Sequence, residues 1–511
     1  MSETSSNNKR IAKNTVMLYI RMLLIMAVTL YTSRVVLEVL GVEDFGIYNV
    51  VGGIVVLFTF INNAMVTATQ RFLNYELGRK DYQATARIFS ASVTIHFVIA
   101  LLTFVLAETV GLWFLNRYIQ YPEGREVAVH FTYQFSILTT CVNIIRTPYN
   151  AAIIAHERMS FYAYISVIEV VLRLLIVYLL IISAIDRLIL YSVLMFTVVF
   201  LITVSYYIYC KRQFSVCTYS FFWDKSKYLQ LVSFSGWSLF GGLANMGASQ
   251  GLNILLNMFY GVTVNAAMGI ANQVNTAVYS FVSNFQTAFN PQIVKSYAAK
   301  EKSYFIDLIF RTSKYSYFLL FVISLPIYLC CEEVLELWLK EVPDYTVSFC
   351  RLMIIFSLLD AIQGPLWVSV QATGKIRNYQ ILMSIMILSN LPLSYLFLKL
   401  GFQAEVVLII RCLLNFVTLF VRLWYLEKLY KFPVRRYIQE VIGRCLIVTL
   451  LSISLSFIPI ENVCSIFKVI IVVFISLLFN ISLIYSMGLE SLERELIKTQ
   501  IQKFYEQYKR Y

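Results

Sequence analysis

The sequence predicts an all-α polytopic membrane protein with about 14 transmembrane helices, and three observations support that fold class. Of its 511 residues, 59% are hydrophobic and only 14% are charged. About 14 apolar stretches approach the roughly 20 residues that a helix needs to cross a bilayer. The basic residues are concentrated in alternate gaps between these stretches. Together these features predict a chain that crosses the membrane many times.

The basic residues also predict the orientation. With the amino terminus placed in the cytoplasm, most of the 42 Lys and Arg residues lie in cytoplasmic gaps, whereas Asp and Glu divide evenly between the two sides. This asymmetry is what the positive-inside rule describes. We therefore predict a multi-pass protein with both termini in the cytoplasm. The excess of basic residues, which gives the net charge of +13, then lies against the anionic inner leaflet. We therefore expect a lipid bilayer as the partner of these residues, and no nucleic acid.

The amino end indicates a membrane span, and the residue types that bind metals indicate no metal site. The first 14 residues are polar and basic, and the apolar run after them lacks a small-residue cleavage site. This pattern predicts a first membrane span rather than a signal peptide. The nine Cys and three His residues show no ligand-like spacing, so we expect no metal site and no cofactor.

The chain matches itself at two similar offsets. At 220 residues, span 2 (46–66) falls on span 8 (263–289), and Gly41 and Lys80 meet Gly261 and Lys300. At 217 residues, span 4 (128–155) falls on span 10 (346–372), and Pro148 meets Pro365. These matches indicate a duplicated unit of six spans. An even number of spans gives both copies the same orientation, and substrate sites in such transporters lie between the halves.

The repeat divides the chain into four parts. We predict an amino-terminal lobe of spans 1–6 (1–212), a cytoplasmic linker or short amphipathic helix (213–230) and a carboxyl-terminal lobe of spans 7–12 (231–430). Spans 13 and 14 and a cytoplasmic tail (431–511) lie outside the repeat.

Spans 2, 7 and 8 are unusually polar for membrane helices. Span 7 contains Asn245, and span 8 contains Asn272 and Gln273 among many further amides and hydroxyls. An unsatisfied polar group in hydrocarbon costs several kcal/mol, so these side chains need water or one another. We expect them to face a hydrated cavity, with helix packing through amide hydrogen bonds as the alternative. Pro148 and Pro365 predict paired kinks that either move during transport or are static.

Six arginines lie within predicted spans, where each charge needs a partner or a function. Arg21, Arg351 and Arg422 are near span ends, and Arg173 follows Glu169 by one helical turn. Arg146 and Arg411 lack an obvious partner in the sequence and are candidates for binding an anionic substrate.

Asp360 is the only acid in the middle of the carboxyl-terminal lobe. A carboxylate inside the membrane predicts either coupling to H⁺ or Na⁺ or an ion pair with Arg351 or Arg411.

Three stretches carry a family resemblance: LGVEDFGIYNVVGGIVVLFTFINNAMVTATQRFLNYELGRKD (Leu40 to Asp81), the segment from Ser235 to Lys302, and AIQGPLWVSVQATGKIRNYQ (Ala361 to Gln380). They resemble the Wzx-like polysaccharide exporters of the MOP superfamily. The resemblance implies a MATE-like fold of two six-helix lobes around a central cavity, plus two extra carboxyl-terminal helices. A sister flippase for peptidoglycan precursors has cavity arginines on spans 1, 2 and 8. Here only Arg21 could match them, which makes it a third substrate-binding candidate.

The function that this resemblance implies is a flippase of the bacterial inner membrane. It would move undecaprenyl-diphosphate-linked oligosaccharide, an O-antigen or capsule repeat unit, from the cytoplasmic to the periplasmic leaflet by alternating access. A polysaccharide polymerase and glycosyltransferases would be further partners. Two alternatives remain open: a cation-coupled MATE-type multidrug exporter, and a membrane-embedded polysaccharide polymerase or acyltransferase. Short outer gaps and the lack of a catalytic constellation argue against an enzyme.

Overall fold

The protein consists of helices joined by short turns in all the residues that the computed structural model describes, which are 3–57, 59–118, 124–339, 341–453, 465–491, 493–495 and 498. The helices of the amino-terminal part are α1 (Glu3–Leu57), α2 (Phe60–Gly78), α3 (Tyr82–Leu106), α4 (Leu112–Tyr118), α5 (Glu126–Ala155), α6 (Met159–Ile182) and α7 (Arg187–Gln213). Next come α8 (Lys225–Tyr260), α9 (Val262–Ala298), α10 (Lys302–Leu329), α11 (Cys331–Leu339) and α12 (Thr346–Thr373). The rest are α13 (Arg377–Leu388), α14 (Asn390–Lys399), α15 (Val406–Tyr430), α16 (Val434–Tyr437), α17 (Arg444–Ser452) and α18 (Ser465–Leu483).

Eight helical segments in the described part of the chain are long and apolar enough to cross a membrane, which confirms the predicted class of multi-pass helical protein. Helices α8 and α9 have 36 and 37 residues but do not meet this apolar criterion. Their many amides and hydroxyls lower the hydropathy, as the polar spans 7 and 8 led us to expect. Of the two alternatives for 213–230, a separate short helix is not found, because residues 214–224 contain only the 3₁₀ turn Ser215–Cys217 and α8 begins at Lys225.

Backbone turns recur at the offsets of the sequence repeat. Gly41 breaks α1 with φ 79°, and Gly261 separates α8 from α9 with φ 77°. These left-handed conformations favour glycine, which has no Cβ to clash. Lys80 and Lys300 adopt φ of 58° and 62°, and Glu157 and Gly374 adopt 58° and 77°. All three pairs obey the offsets of 220 or 217 residues, as a duplicated unit requires.

The chain forms two compact units. The first comprises 1–243, 287–302 and 371–380, so it includes the last turns of α9 and the end of α12. It contains an apolar cluster around Val51, Leu115 and Tyr133. The second comprises 244–286, 303–370 and 381–511, with an apolar cluster around Met268, Phe349 and Leu408. The lobe boundaries at 212 and 231 stay a prediction.

Gly78 permits a close helix approach within the first unit. A Cβ at this position would lie 2.6 Å from both the Cα and the carbonyl oxygen of Lys295, whereas a Cβ at Gly269 would meet nothing within 4 Å. Gly78→Ala should therefore destabilise the protein by about 1–3 kcal/mol through overpacking. Gly269→Ala should be neutral or stabilising by up to about 1 kcal/mol. Thermal unfolding in detergent measures both, and equal melting temperatures for the two variants would contradict the expectation.

Candidate functional site

An arginine cluster lies among the membrane helices of the first unit. The guanidinium of Arg146 on α5 is 3.2 Å from Glu169 of α6, and that of Arg173 is 2.5 Å from the other oxygen of the same carboxylate. The expected pair of Arg173 with Glu169 is thus present. The sequence shows no obvious partner for Arg146, and the fold supplies one, because Glu169 lies 23 positions away on the adjacent helix.

Arg21 and two tyrosines extend this cluster. The Arg21 guanidinium carbon lies 4.4 Å from the Tyr162 ring centre, and that of Arg146 lies 5.5 Å from the Tyr206 ring centre. Tyr162 lies on α6, about two helical turns before Glu169. The Nε atoms of Arg21 and Arg173 are buried without a hydrogen-bond acceptor among the described residues. We call Arg21, Arg146, Tyr162, Glu169, Arg173 and Tyr206 the arginine cluster.

The charges of the arginine cluster do not balance. The cluster contains three guanidinium groups and one carboxylate, which pairs with Arg146 and Arg173 only, so two positive charges are in excess. Arginine cannot release its proton in proteins, so the excess must be offset by water or by an anion. Guanidinium groups bind carboxylate and phosphate groups through paired hydrogen bonds. The arrangement is therefore chemically suited to hold an anionic group.

Asp360 of α12 occupies a different environment in the second unit. Its carboxylate accepts a 2.7 Å hydrogen bond from the Tyr279 hydroxyl of α9. Among the residues that the structure describes, no Lys or Arg nitrogen lies within 4 Å of this carboxylate. The expected ion pair with Arg351 or Arg411 is thus not formed, and Arg351 instead donates to the Tyr328 carbonyl at 3.3 Å.

Arg411 on α15 is held by contacts other than an ion pair. Its guanidinium carbon lies 4.3 Å from the Phe356 ring centre, and one nitrogen is 3.9 Å from the Met353 sulfur. Asp360 and Arg411 are thus not joined by an ion pair, and Tyr279 is the partner of Asp360 that sequence reasoning missed.

The amides of α8 and α9 follow two patterns. Gln250, Asn253, Asn257 and Asn265 line an open pocket of about 250 Å³ together with Ile254 and Met258. The predicted candidates Asn245 and Gln273 are exposed, Asn272 is half-buried, and none of the three lines this pocket.

Other amides pair between helices of the second unit, where Gln286 donates to the Ala361 carbonyl at 3.3 Å and Asn275 accepts from Ser357. Helix packing therefore satisfies part of the polar set that we expected to face water. Pro148 and Pro365 each lie inside a continuous helix, so their roles in movement stay predictions.

These features were compared with known proteins. The MatE family profile matches residues 18–179 and 238–396, which is more than half of the chain. None of the curated proteins compared with the chain matches it.

Among solved structures, an outward-facing multidrug resistance MATE transporter of the MOP superfamily aligns with a TM-score of 0.69 and 13% identity, covering 82% of this chain and 95% of that one. A MATE structure in a straight conformation aligns with a TM-score of 0.69 and 13% identity, covering 85% of this chain and 97% of that one. A MOP superfamily transporter from Pyrococcus furiosus aligns with a TM-score of 0.68 and 13% identity, covering 84% of this chain and 96% of that one. The reversed polarity of its binding pocket was taken to suggest a different function for that protein.

These findings correct the functional expectation. They support the MATE-like fold and a transporter rather than an enzyme, but the prediction of a lipid-linked oligosaccharide flippase is wrong. The family match and the multidrug transporter structures support instead the alternative, a MATE-type exporter. The family match extends over both halves of the repeat. This multi-pass membrane protein therefore belongs to the MatE family of transporters.

Proposed function

We propose that this protein is a cation-coupled exporter of the MATE type and that the coupling H⁺ or Na⁺ binds at Asp360. The observation that carries this proposal is an intramembrane carboxylate whose hydrogen-bond donor is a neutral tyrosine hydroxyl at 2.7 Å. A negative charge inside a membrane protein is costly unless a partner neutralises it. A proton or a sodium ion supplies that partner and is released when the site opens to the opposite side.

The arginine cluster is the proposed site for the exported molecule. Its excess of positive charge favours a substrate with a carboxylate, sulfonate or phosphate group, because guanidinium groups bind such anions through charge-assisted hydrogen bonds. Arg411, Asn245, Asn272 and Gln273 belong to the second unit, where they stay candidates for substrate binding. Pro148 and Pro365 are the proposed points at which α5 and α12 bend.

The proposed location is a bacterial inner membrane with both termini in the cytoplasm. The asymmetric distribution of Lys and Arg supports this orientation. Export then runs from the side where α2 and α9 end toward the side where α8 and α9 join.

Transport by the purified protein tests this function. The protein is reconstituted in liposomes, and fluorescent organic anions, zwitterions and cations are loaded with an imposed H⁺ or Na⁺ gradient. We expect gradient-dependent transport of at least one compound that carries an anionic group. Failure to transport any of the three classes under either gradient would contradict the proposal, and transport of cations alone would refute the anion site.

Removing the proposed anion-binding charges should weaken substrate binding. Arg146→Gln combined with Arg411→Gln should raise the KM for an anionic substrate about tenfold or more, because each lost charge-assisted hydrogen bond is worth about 1.5–3 kcal/mol. The matched control is Arg187→Gln, which removes an exposed arginine that donates to the Val39 carbonyl. An unchanged KM with normal protein levels would rule out a role for Arg146 and Arg411.

A further inference from the structure

Two contacts in the first unit join opposite halves of the sequence repeat in a reciprocal way. The end of α9, from the second half, contacts the α5–α6 turn of the first half. The middle of α2, from the first half, contacts the end of α12 in the second half. Helices α2 and α9 are equivalent at the 220-residue offset, and the two turns are equivalent at 217. All residues of both contacts belong to the first compact unit.

The first contact is centred on Glu157 in the α5–α6 turn. Its carboxylate is fully buried and lies 2.6 Å from the Lys295 ammonium. The Gln292 amide donates to both carboxylate oxygens at 2.8 and 2.7 Å. A buried carboxylate is tolerated only with such charge and hydrogen-bond partners. The α5–α6 turn is thus tied to the last turns of α9 by a fully satisfied acid.

The second contact is centred on Arg71 of α2. Its guanidinium donates from Nε to the Gln371 carbonyl at 3.0 Å and from Nη2 to the Ala372 carbonyl at 2.9 Å. Both carbonyls lie in the last turn of α12, where helix carbonyls lack intrahelical donors. The left-handed Gly374 lies directly against this guanidinium, because a Cβ there would be 2.7 Å from Nη2. Arg71 therefore caps α12.

The close approach at Gly78 links the two contacts. Gly78 ends α2, which carries Arg71, and it packs against Lys295 of α9, which binds Glu157. All three contacts join the first half of the repeat to the second, so a movement of one half against the other breaks all of them. We call the two polar contacts together the reciprocal latch (Arg71, Glu157, Gln292 and Lys295).

We infer that the reciprocal latch holds the protein closed at the end where α2 and α9 finish, and that it must release in each transport cycle. The inference rests on the proposed transport function, because a carrier of alternating access opens each end in turn. Contacts that join the two halves of the repeat at one end are lost when that end opens. Release exposes Glu157 and Lys295 to water, which solvates both charges and makes the opening reversible.

A buried serine next to the reciprocal latch can be used to measure how often the latch opens. Ser296 is 3% exposed and follows Lys295, so Ser296→Cys places a small thiol inside the closed end. Labelling by a membrane-impermeant maleimide is measured on purified full-length protein, with the parent protein giving the background of the nine native cysteines. We expect Glu157→Gln and Arg71→Gln each to increase the labelling rate of this thiol about tenfold, which corresponds to 1.4 kcal/mol. Arg71→Gln is the decisive variant because Arg71 belongs to the other contact.

The control variant is Arg87→Gln, which removes an exposed cation from α3 and leaves the four latch residues unchanged. It should be labelled at the parent rate. Arg71→Lys retains the charge but loses the two-carbonyl geometry, and it should increase labelling even if the glutamine variants fail to fold. Parent-level labelling of Arg71→Lys and of every folded glutamine variant would overturn the latch. Altered labelling in a protein that transports nothing would support the latch and refute only the proposed function.

Discussion

Replacing Asp360 by asparagine is expected to abolish cation-coupled export, lowering the gradient-driven rate by about tenfold or more, equivalent to at least ~1.4 kcal/mol. The asparagine oxygen still accepts the hydrogen bond from Tyr279, so the helix contact survives. What is lost is the negative charge that binds H⁺ or Na⁺. Transport in liposomes with and without the imposed gradient measures the effect.

Tyr279→Phe is the matched control for Asp360→Asn. It removes the hydroxyl donor but keeps the carboxylate, so coupling should persist with an altered dependence on cation concentration. If Asp360→Asn retained full gradient dependence at normal protein levels, Asp360 would not be the coupling site.

Removing the two acids that hold Lys314 is expected to destabilise the protein by about 3–5 kcal/mol, because a buried charge then loses its partners. The Lys314 side chain on α10 is 2% exposed and lies 2.8 Å from Glu493 and 3.3 Å from Glu490, which follow α18. Tyr315 donates a 2.7 Å hydrogen bond to Glu493. The paired change Glu490→Gln and Glu493→Gln should lower the melting temperature in detergent.

Lys314→Met in the same background should recover most of the lost stability, since an apolar side chain needs no counter-charge. Persistent instability in this triple variant would show that the acids stabilise the fold by some other contact. An unchanged melting temperature in the paired glutamine variant would show that Lys314 does not depend on these acids.

The contacts of Glu493 also predict that the stability of the folded protein depends on pH. Burial alone would raise the pKa of Glu493, but hydrogen bonds from the Glu490 N–H, Lys314 and Tyr315 hold the pKa below its usual value. A carboxyl whose pKa is lower in the folded state stabilises the fold above its unfolded pKa of about 4.3 and loses that contribution as pH falls through the folded value. Melting temperatures measured downward from pH 6 should therefore fall less steeply in Glu493→Gln than in the parent.

The sequence predicted those features that depend on local pattern. Hydropathy predicted the multi-pass helical class, and the paired motifs around Gly41 and Gly261 predicted a repeat that recurs in the backbone conformations. Helix ends were less accurate. The stretch assigned to span 2 lies partly in α1 and partly in α2, since apolar composition does not reveal where a helix breaks or ends.

Contacts between distant residues could not be predicted in the same way. Arg146 pairs with Glu169, 23 residues away, and Asp360 binds Tyr279, 81 residues away. Glu157 meets Lys295 across 138 residues, and no local signal marks that pair. The specific substrate was mispredicted for a related reason. Sequence stretches shared with a transporter family indicate its fold, whereas the transported molecule depends on the side chains around the site.

The most direct test of the account is whether an imposed substrate gradient moves the coupling cation. Linkage between two ligands is reciprocal, so if a cation gradient drives export, a gradient of a transported compound must drive H⁺ or Na⁺ in the opposite direction. In sealed liposomes, the account predicts cation movement with the parent protein and none with Asp360→Asn. Substrate movement by the parent protein without any accompanying cation movement would contradict it.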